Sequence, residues 1–353
     1  MINDQASLSS LAAELHPAPR VCLDTEADSL HAYPEKLCLL QINYNESNVL
    51  VDPLAGLDLA PLWQAIASKT LILHGADYDL RLLKRNHDFI PAAIFDTMLA
   101  ARLLGEMEFG LNNLLTKFLG IELEKGSQKA DWGRRPLTPK MESYAINDVK
   151  YLQQLSSILA AKLEEKGRLA WHLESCSRLI QDCSKISALP RESWRIKGSN
   201  RLGRRALAIL QEVWKWRERH AVAANKPPYF ILNHEALIDI AAAAGTGRPY
   251  LEFLPKSFRP QRKDEIIESV NIALKAPPNQ LPSAFEPDVH QTTERERKLF
   301  EQLKQRRDAQ ALELIMDPTI IASKNTLLQL AQSESRGEGV LMEWQKQLIF
   351  GTS

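Results

Sequence analysis

Arg20-Val-Cys-Leu-Asp-Thr-Glu-Ala27 alternates about two acids, Asp24 and Glu26. In an extended chain successive side chains point to opposite faces, so Asp24 and Glu26 share one face with Cys22. Two carboxylates side by side repel unless a cation lies between them. Mg²⁺ suits that role, because it takes a few carboxylates together with water and phosphate oxygens. Taken alone, D-x-E also describes two acids on a solvated face, so its meaning depends on the rest of the chain.

Outward from this strand, Leu37 to Tyr44 is apolar, and Asn48 to Asp52 is a short β-branched run ended by Pro53, which predicts an antiparallel meander. Helical spacing follows over Leu59 to Ala67, Tyr78 to Asn86 and Thr97 to Leu104, separated by strands at Thr70 to His74 and Ala93 to Asp96. Strands first alone and then alternating with helices imply a mixed sheet covered by helices. Gly120 to Pro136 reads as a basic loop carrying Lys125, Lys129, Arg134 and Arg135 around Trp132. Thr138 as N-cap and Pro139 at the first helical position open one long helix to about Lys166. From about Ser187 the pattern is helical only. Residues 200–275 form one helical set, the linker Ala276 to Val289 holds Pro277, Pro278, Pro282 and Pro287, and Thr292 to Leu348 forms another set. The expected domains are therefore 1–186, 187–282 and 283–353, an α/β domain followed by all-α ones.

The 353 residues carry 44 Lys+Arg and 44 Asp+Glu, a balance that hides an asymmetry. Residues 186–280 hold 16 basic against 9 acidic side chains, whereas residues 1–185 hold 19 against 24. Cations to grip phosphates beside carboxylates to hold metal suit a nucleic-acid enzyme, although solvated faces also vary this much. No apolar run is long enough for a bilayer, and the N-terminal residues lack the basic start and apolar stretch of a secretory signal. Cys22, Cys38, Cys176 and Cys183 show no metal spacing and read as reduced, buried thiols. A cytoplasmic protein is the expectation.

Two further elements carry acids. His74-Gly-Ala-Asp77-Tyr-Asp79-Leu-Arg-Leu-Leu83 is a strand end feeding a helix, with His74 read as a capping or hydrogen-bonding group at the strand end, Asp79 in the opening turns of the helix and Asp77 explained by the helix N-terminus. Tyr144-Ala-Ile-Asn-Asp148 places a phenol and a carboxylate one helical turn apart. Each alone has an ordinary structural explanation. In this order, the three elements resemble the DEDD superfamily of 3′→5′ exonucleases, in the branch with tyrosine in the third motif. Phe95-Asp-Thr-Met-Leu-Ala-Ala-Arg-Leu-Leu104 and Lys129-Ala-Asp-Trp-(x)2-Arg-Pro-Leu-Thr138 extend the resemblance to the ribonuclease D family. Residues 200–275, with His234-Glu-Ala-Leu-Ile-Asp-Ile-Ala241 and Leu254-Pro255, resemble its HRDC domain, and residues 292–348 more loosely resemble a second.

That resemblance implies a ribonuclease H-like sheet. It also implies Asp24, Glu26, Asp79 and Asp148 around two divalent ions, Mg²⁺ or Mn²⁺, with Tyr144 orienting the attacking water. The implied partner is RNA with a single-stranded 3′ end, tRNA precursors above all, acted on by a monomer. Lys129, Trp132, Arg134 and Arg135 are candidates to grip the strand; Trp132 would stack on a base or pin the loop. Arg201, Arg204 and Arg205, near Lys215, Arg217 and Arg219 and interleaved with Trp214 and Trp216, are candidates in the HRDC region. Two other readings stay open: the same chemistry on DNA, and an RNA-binding scaffold without activity. The chain has no GxxxxGK[ST] phosphate loop, so it is no helicase by that route.

Overall fold

The computed structural model describes residues 1–124, 126, 128–186, 193–285, 292–333 and 337–351; Lys125, Ser187, Pro287 and Val289 lie outside them. Asp4 accepts the Ser7 N–H and opens α1 (Gln5–Leu15), a helix the sequence reading did not anticipate. β1 (Arg20–Ala27), β2 (Leu37–Tyr44) and β3 (Ser47–Val51) follow as the expected antiparallel meander. Then come α2 (Ala60–Ile66), β4 (Thr70–Leu73), α3 (Asp77–His87), β5 (Ala93–Asp96) and α4 (Thr97–Leu104). β4 pairs with β1 and β5 with β4, both parallel, so the sheet order is β3-β2-β1-β4-β5. The mixed sheet is as expected, and β1, which carries the two acids, is its central strand.

Alternation decides what each face of β1 meets. Val21 and Leu23 enter a core built with Leu8, Leu11, Leu62, Leu80 and Leu83, from α1, α2 and α3. Cys22 packs on the other face with Ile72, Val149 and Leu152. All eight residues of β2 are buried, the pattern of a strand covered on both sides.

After α5 (Leu111–Leu119), the single long helix expected from Thr138 to Lys166 is two helices, α6 (Pro139–Lys150) and α7 (Leu152–Glu165). Tyr151 stands between them at φ −109°, ψ 0°, outside the helical well. The break serves packing: Met141 and Ala145 of α6 lie on Leu39 and Leu50, whereas Leu155, Leu159 and Leu163 of α7 join α4 and α5. No Pro or Gly marks it. α8 (Leu169–Ser184) follows, and all four cysteines are buried thiols outside any disulfide.

The chain divides into two compact units, Met1–Ala27 with Leu37–Ile186 and Gln291–Ser353, and Asp28–Lys36 with Ser187–His290. The second unit is built on α9 (Arg204–Ala224), α10 (Pro228–Ile231), α11 (His234–Gly245) and α12 (Pro260–Lys275), around Leu207, Trp216, Ile240 and Ile266. The C-terminal helices are α13 (Glu294–Leu314), α14 (Pro318–Ile321), α15 (Lys324–Gln332) and α16 (Glu343–Phe350). The sequence reading gave them a domain of their own. They instead share a core with α4, α5 and α7, where Leu303, Ile321 and Trp344 meet Ala100, Leu103 and Leu155. The buried Arg168 guanidinium joins the two parts by donating to the carbonyls of Leu103 and Leu314.

α13, α14 and α15 nevertheless repeat α9, α10 and α11, each starting ninety residues after its counterpart. The repetition reaches single contacts. Buried Arg217 pairs with Glu218 and donates to the Leu232 carbonyl; buried Arg307 pairs with Asp308 and donates to the Ala322 carbonyl. Asn225 and Ile315, which end the long helices, are both left-handed, at φ 47° and 51°. Asparagine tolerates that conformation and isoleucine does not, so the second copy holds the same turn at greater strain.

Leu80 anchors the α3 helix in the sheet core and is fully buried. Leu80→Ala is expected to lower stability by about 2–5 kcal/mol through lost burial and a residual cavity, read as a lower urea midpoint in a far-UV circular dichroism titration.

Candidate active site

Three elements bring the acids together from different directions. β1 places Asp24 and Glu26 on the face covered by α6, and α6 presents Asp148 there. One oxygen from each of Asp24, Glu26 and Asp148 can lie within 4.8 Å of the others. α3 packs on the opposite face, so Asp79 arrives from the other side of β1. It is 5% exposed and accepts a 2.5 Å hydrogen bond from the Thr25 hydroxyl. Tyr144, one turn before Asp148, hydrogen-bonds to its carboxylate. The structure thus gathers all five residues expected at the site.

The entry of α3 is fixed by a second set of bonds. Asp96 accepts the N–H groups of Gly75 and Ala76 and those of Met98 and Leu99, joining the ends of β4 and β5. Gly75 sits at φ 75°, a conformation that costs glycine little. His74 takes the structural part expected of it, through a 2.9 Å contact between Nδ1 and the Thr97 hydroxyl. Asp77 does likewise, pairing with Arg81 on the surface.

Burial holds every acid of the cluster above its ordinary range, and repulsion from the other acids adds to it at Asp24 and Glu26. Asp24 is raised well above it, first by desolvation and then by Asp79, Asp148 and Glu26. Desolvation, with Asp148 and Asp79, pushes Glu26 up to about 9. Asp79 and Asp148 are each raised to about 7, again chiefly by desolvation. The Tyr144 phenol is raised too, by burial and by the carboxylates beside it. Hard oxygen donors, desolvated and repelling one another, fit a divalent cation, whose charge removes the conflict. A cleft of about 480 Å³ opens beside them, lined by Leu111, Asn112, Tyr144, Asn147 and Asp148. At Gly126 the loop presses on the Tyr144 ring so closely that a Cβ would fall 1.6 Å from Cδ2.

The strand-gripping candidates divide. Trp132 is 1% exposed and packs with Leu39, Leu50, Leu137 and Met141, its ring 6.1 Å from that of Tyr144. It has no face free for a base, so of the two parts expected of it the loop-pinning one is seen. Arg135 also turns inward, forking onto Asp52 at 2.6 Å and donating to the Cys38 and Trp132 carbonyls. Lys129 and Arg134 are exposed. In the second unit Arg201 is exposed. Arg204 donates to the carbonyls of Pro278 and Leu281, and Arg205 to those of Ala273 and Ala276 at the C-terminal end of α12. Trp216 is a core anchor whose Nε1 donates to Glu265. The sequence reading missed Thr25; its place between Asp24 and Glu26 was the available signal.

Residues 1–164 match the family model described as 3′-5′ exonuclease, and residues 206–247 the model for the HRDC domain. Fold and site together define a 3′–5′ exonuclease domain joined to an HRDC domain. Ribonuclease D of Zymomonas mobilis is 36% identical over 247 residues, 68% of this chain but only 63% of that protein's length. Ribonuclease D of Desulfotalea psychrophila is 30% identical over 341 residues, 93% of this chain and 90% of the relative. The crystal structure of Escherichia coli RNase D, described as an exoribonuclease involved in structured RNA processing, superposes with a TM-score of 0.79 at 27% identity, over 99% of this chain and 98% of that one. The chain belongs to the ribonuclease D family.

Carboxyls raised in the fold bind more protons in the folded chain than in the unfolded one, where they titrate near 3.8 and 4.5. Their contribution to stability is present at low pH and is lost as pH rises towards about 9. In EDTA the melting temperature should fall between about pH 5 and about pH 9, and Mn²⁺ should recover the loss at the upper end; a flat profile in differential scanning fluorimetry would contradict this. Arg135→Ala strands the buried Asp52 carboxylate, an expected loss of roughly 3 kcal/mol in urea unfolding.

Proposed function

We propose that this chain is a metal-dependent 3′→5′ exoribonuclease that trims RNA 3′ ends, tRNA precursors among its substrates, releasing nucleoside 5′-monophosphates. The observation that carries this reading is the convergence of Asp24, Glu26 and Asp148 within 4.8 Å, with Asp79 and Tyr144 at the same place. Asp24, Glu26, Asp79 and Asp148 would hold two divalent ions, Mg²⁺ or Mn²⁺, which supply charge neutralisation for an in-line displacement and a water of lowered pKa.

The chain's own residues do the rest. Asp24 lies among the other acids and suits a position between the ions; Glu26 and Asp148 take the side of the attacking water. Asp79, fixed by Thr25, serves the side of the departing 3′ oxygen. Tyr144, a phenol whose ordinary pKa is about 10, keeps its proton near neutral pH, so it orients the water and does not deprotonate it. The water oxygen bonds to phosphorus, the P–O3′ bond breaks, and the shortened RNA regains a 3′ hydroxyl.

RNA over DNA is supported by the family, since the relatives are ribonucleases D and one is described as acting in structured RNA processing. Exposed Lys129, Arg134 and Arg201 are the cations proposed to meet phosphates. Among the described residues no helix is long and apolar enough to cross a membrane. A cytoplasmic monomer is part of the same proposal.

The test is degradation of a 5′-labelled RNA with a single-stranded 3′ tail, in Mg²⁺. Wild-type protein should give a ladder shrinking from the 3′ end, abolished by EDTA, by Asp24→Ala and by Asp148→Asn. Tyr144→Phe should lower kcat by about 10²-fold or more, the cost of a misplaced nucleophile. RNA bound but left intact by the wild type would favour the scaffold, and faster loss of single-stranded DNA would favour the DNA enzyme.

A further inference from the structure

Gln41 stands in the middle of β2 and is 0% exposed. Neither its Nε2 nor its Oε1 has a hydrogen-bond partner among the described residues. A buried polar group left unpaired costs the fold its full desolvation, so a leucine or methionine would fill the same space more cheaply. The amide therefore calls for a partner that the folded chain alone does not give it.

Its position says which. In the antiparallel register of β1 and β2, Gln41 lies directly opposite Asp24. Opposed residues project from the same face with Cβ atoms about 5 Å apart, well within reach of a glutamine side chain. The other amide on this face, Asn43, lies opposite Cys22 and is satisfied by Asn48 at 3.0 Å. Its neighbour on the other side is Leu39, opposite Glu26. Of the two amides on this face of β2, the unsatisfied one is the one beside a carboxylate of the cluster.

We propose that Gln41 is a positioning residue, donating through Nε2 to the carboxylate of Asp24 and fixing its orientation for a divalent cation. The inference rests on reading the acidic cluster as a metal site. A carboxylate has about four lone-pair directions, of which a cation uses only some. A buried ligand carboxylate needs a donor on the rest to hold its rotamer. The amide and the carboxylate thus complete each other: the amide has no other partner among the described residues, and the carboxylate keeps its remaining lone pairs for a cation.

Two signs follow that a merely structural glutamine would not show together. Gln41→Leu and Gln41→Met, in the full chain, should melt in EDTA at a temperature equal to or higher than wild type. Both should bind Mn²⁺ more weakly by about 10–100-fold in isothermal titration calorimetry, with Asp24→Asn as the control that abolishes binding at the cluster. Unchanged Mn²⁺ affinity in both variants, with Asp24→Asn inactive in binding, would overturn the role of Gln41 alone. Loss of folding, or a lower melting temperature in EDTA for both variants, would assign the amide to the fold and overturn it too. Mn²⁺ binding that survives Asp24→Asn would remove the metal-site reading, and this inference with it.

Discussion

Four carboxylates and a phenol held together out of water are the constraint on which the rest of this structure depends. Such a cluster is unfavourable by itself: each acid is desolvated, and Asp24 and Glu26 are raised further by the carboxylates around them. It persists because no single element has to hold all of it. Asp24 and Glu26 ride on the central strand, which is paired on both edges. Asp148 is carried by a helix on one face and Asp79 by a helix on the other, each anchored by its own apolar side chains. The energy that opposes the repulsion is the burial of those two helices on a rigid sheet.

Around the cluster, polar groups convert this packing into position. Asp96 gathers four N–H groups where β4 and β5 end, which sets where α3 begins and so where Asp79 falls. Thr25 then meets Asp79 through the sheet's own alternation, since its side chain points away from the acids on either side of it. Behind Tyr144, Trp132 and Arg135 fill the space against β2 and β3. The aromatic and the cation that look most like nucleic-acid contacts are there to fix the loop, while Lys129 and Arg134 remain at the surface.

The helical part shows one design used twice with different surroundings. An arginine in the long helix reaches a carbonyl at the end of the short Pro-started helix in both copies. The first copy buries its apolar face within its own unit, around Trp216 and Ile240. The second does not, and its core is completed by the helices of the exonuclease domain.

Sequence alone determined the succession of strands along the chain and the mixed sheet, because period-two alternation and helical spacing are local geometry; the five candidate site residues were legible only through the resemblance of their motifs to those of the 3′→5′ exonucleases. It also identified Asp77 and His74 as structural, since a helix N-terminus and a strand end are local too. It did not determine the break at Tyr151, which carries no Pro or Gly and exists because α6 and α7 pack on different partners. Nor did it tell which cations are free. Arg135, Arg204 and Arg205 differ from Lys129, Arg134 and Arg201 in what lies within reach of the guanidinium, and those carbonyls and carboxylates come from residues far along the chain. Asp79 and Thr25 are 54 residues apart, and Arg135 and Asp52 are 83 apart. Partners at that separation are chosen by the tertiary fold, because nothing in the local sequence bears on which of them arrive.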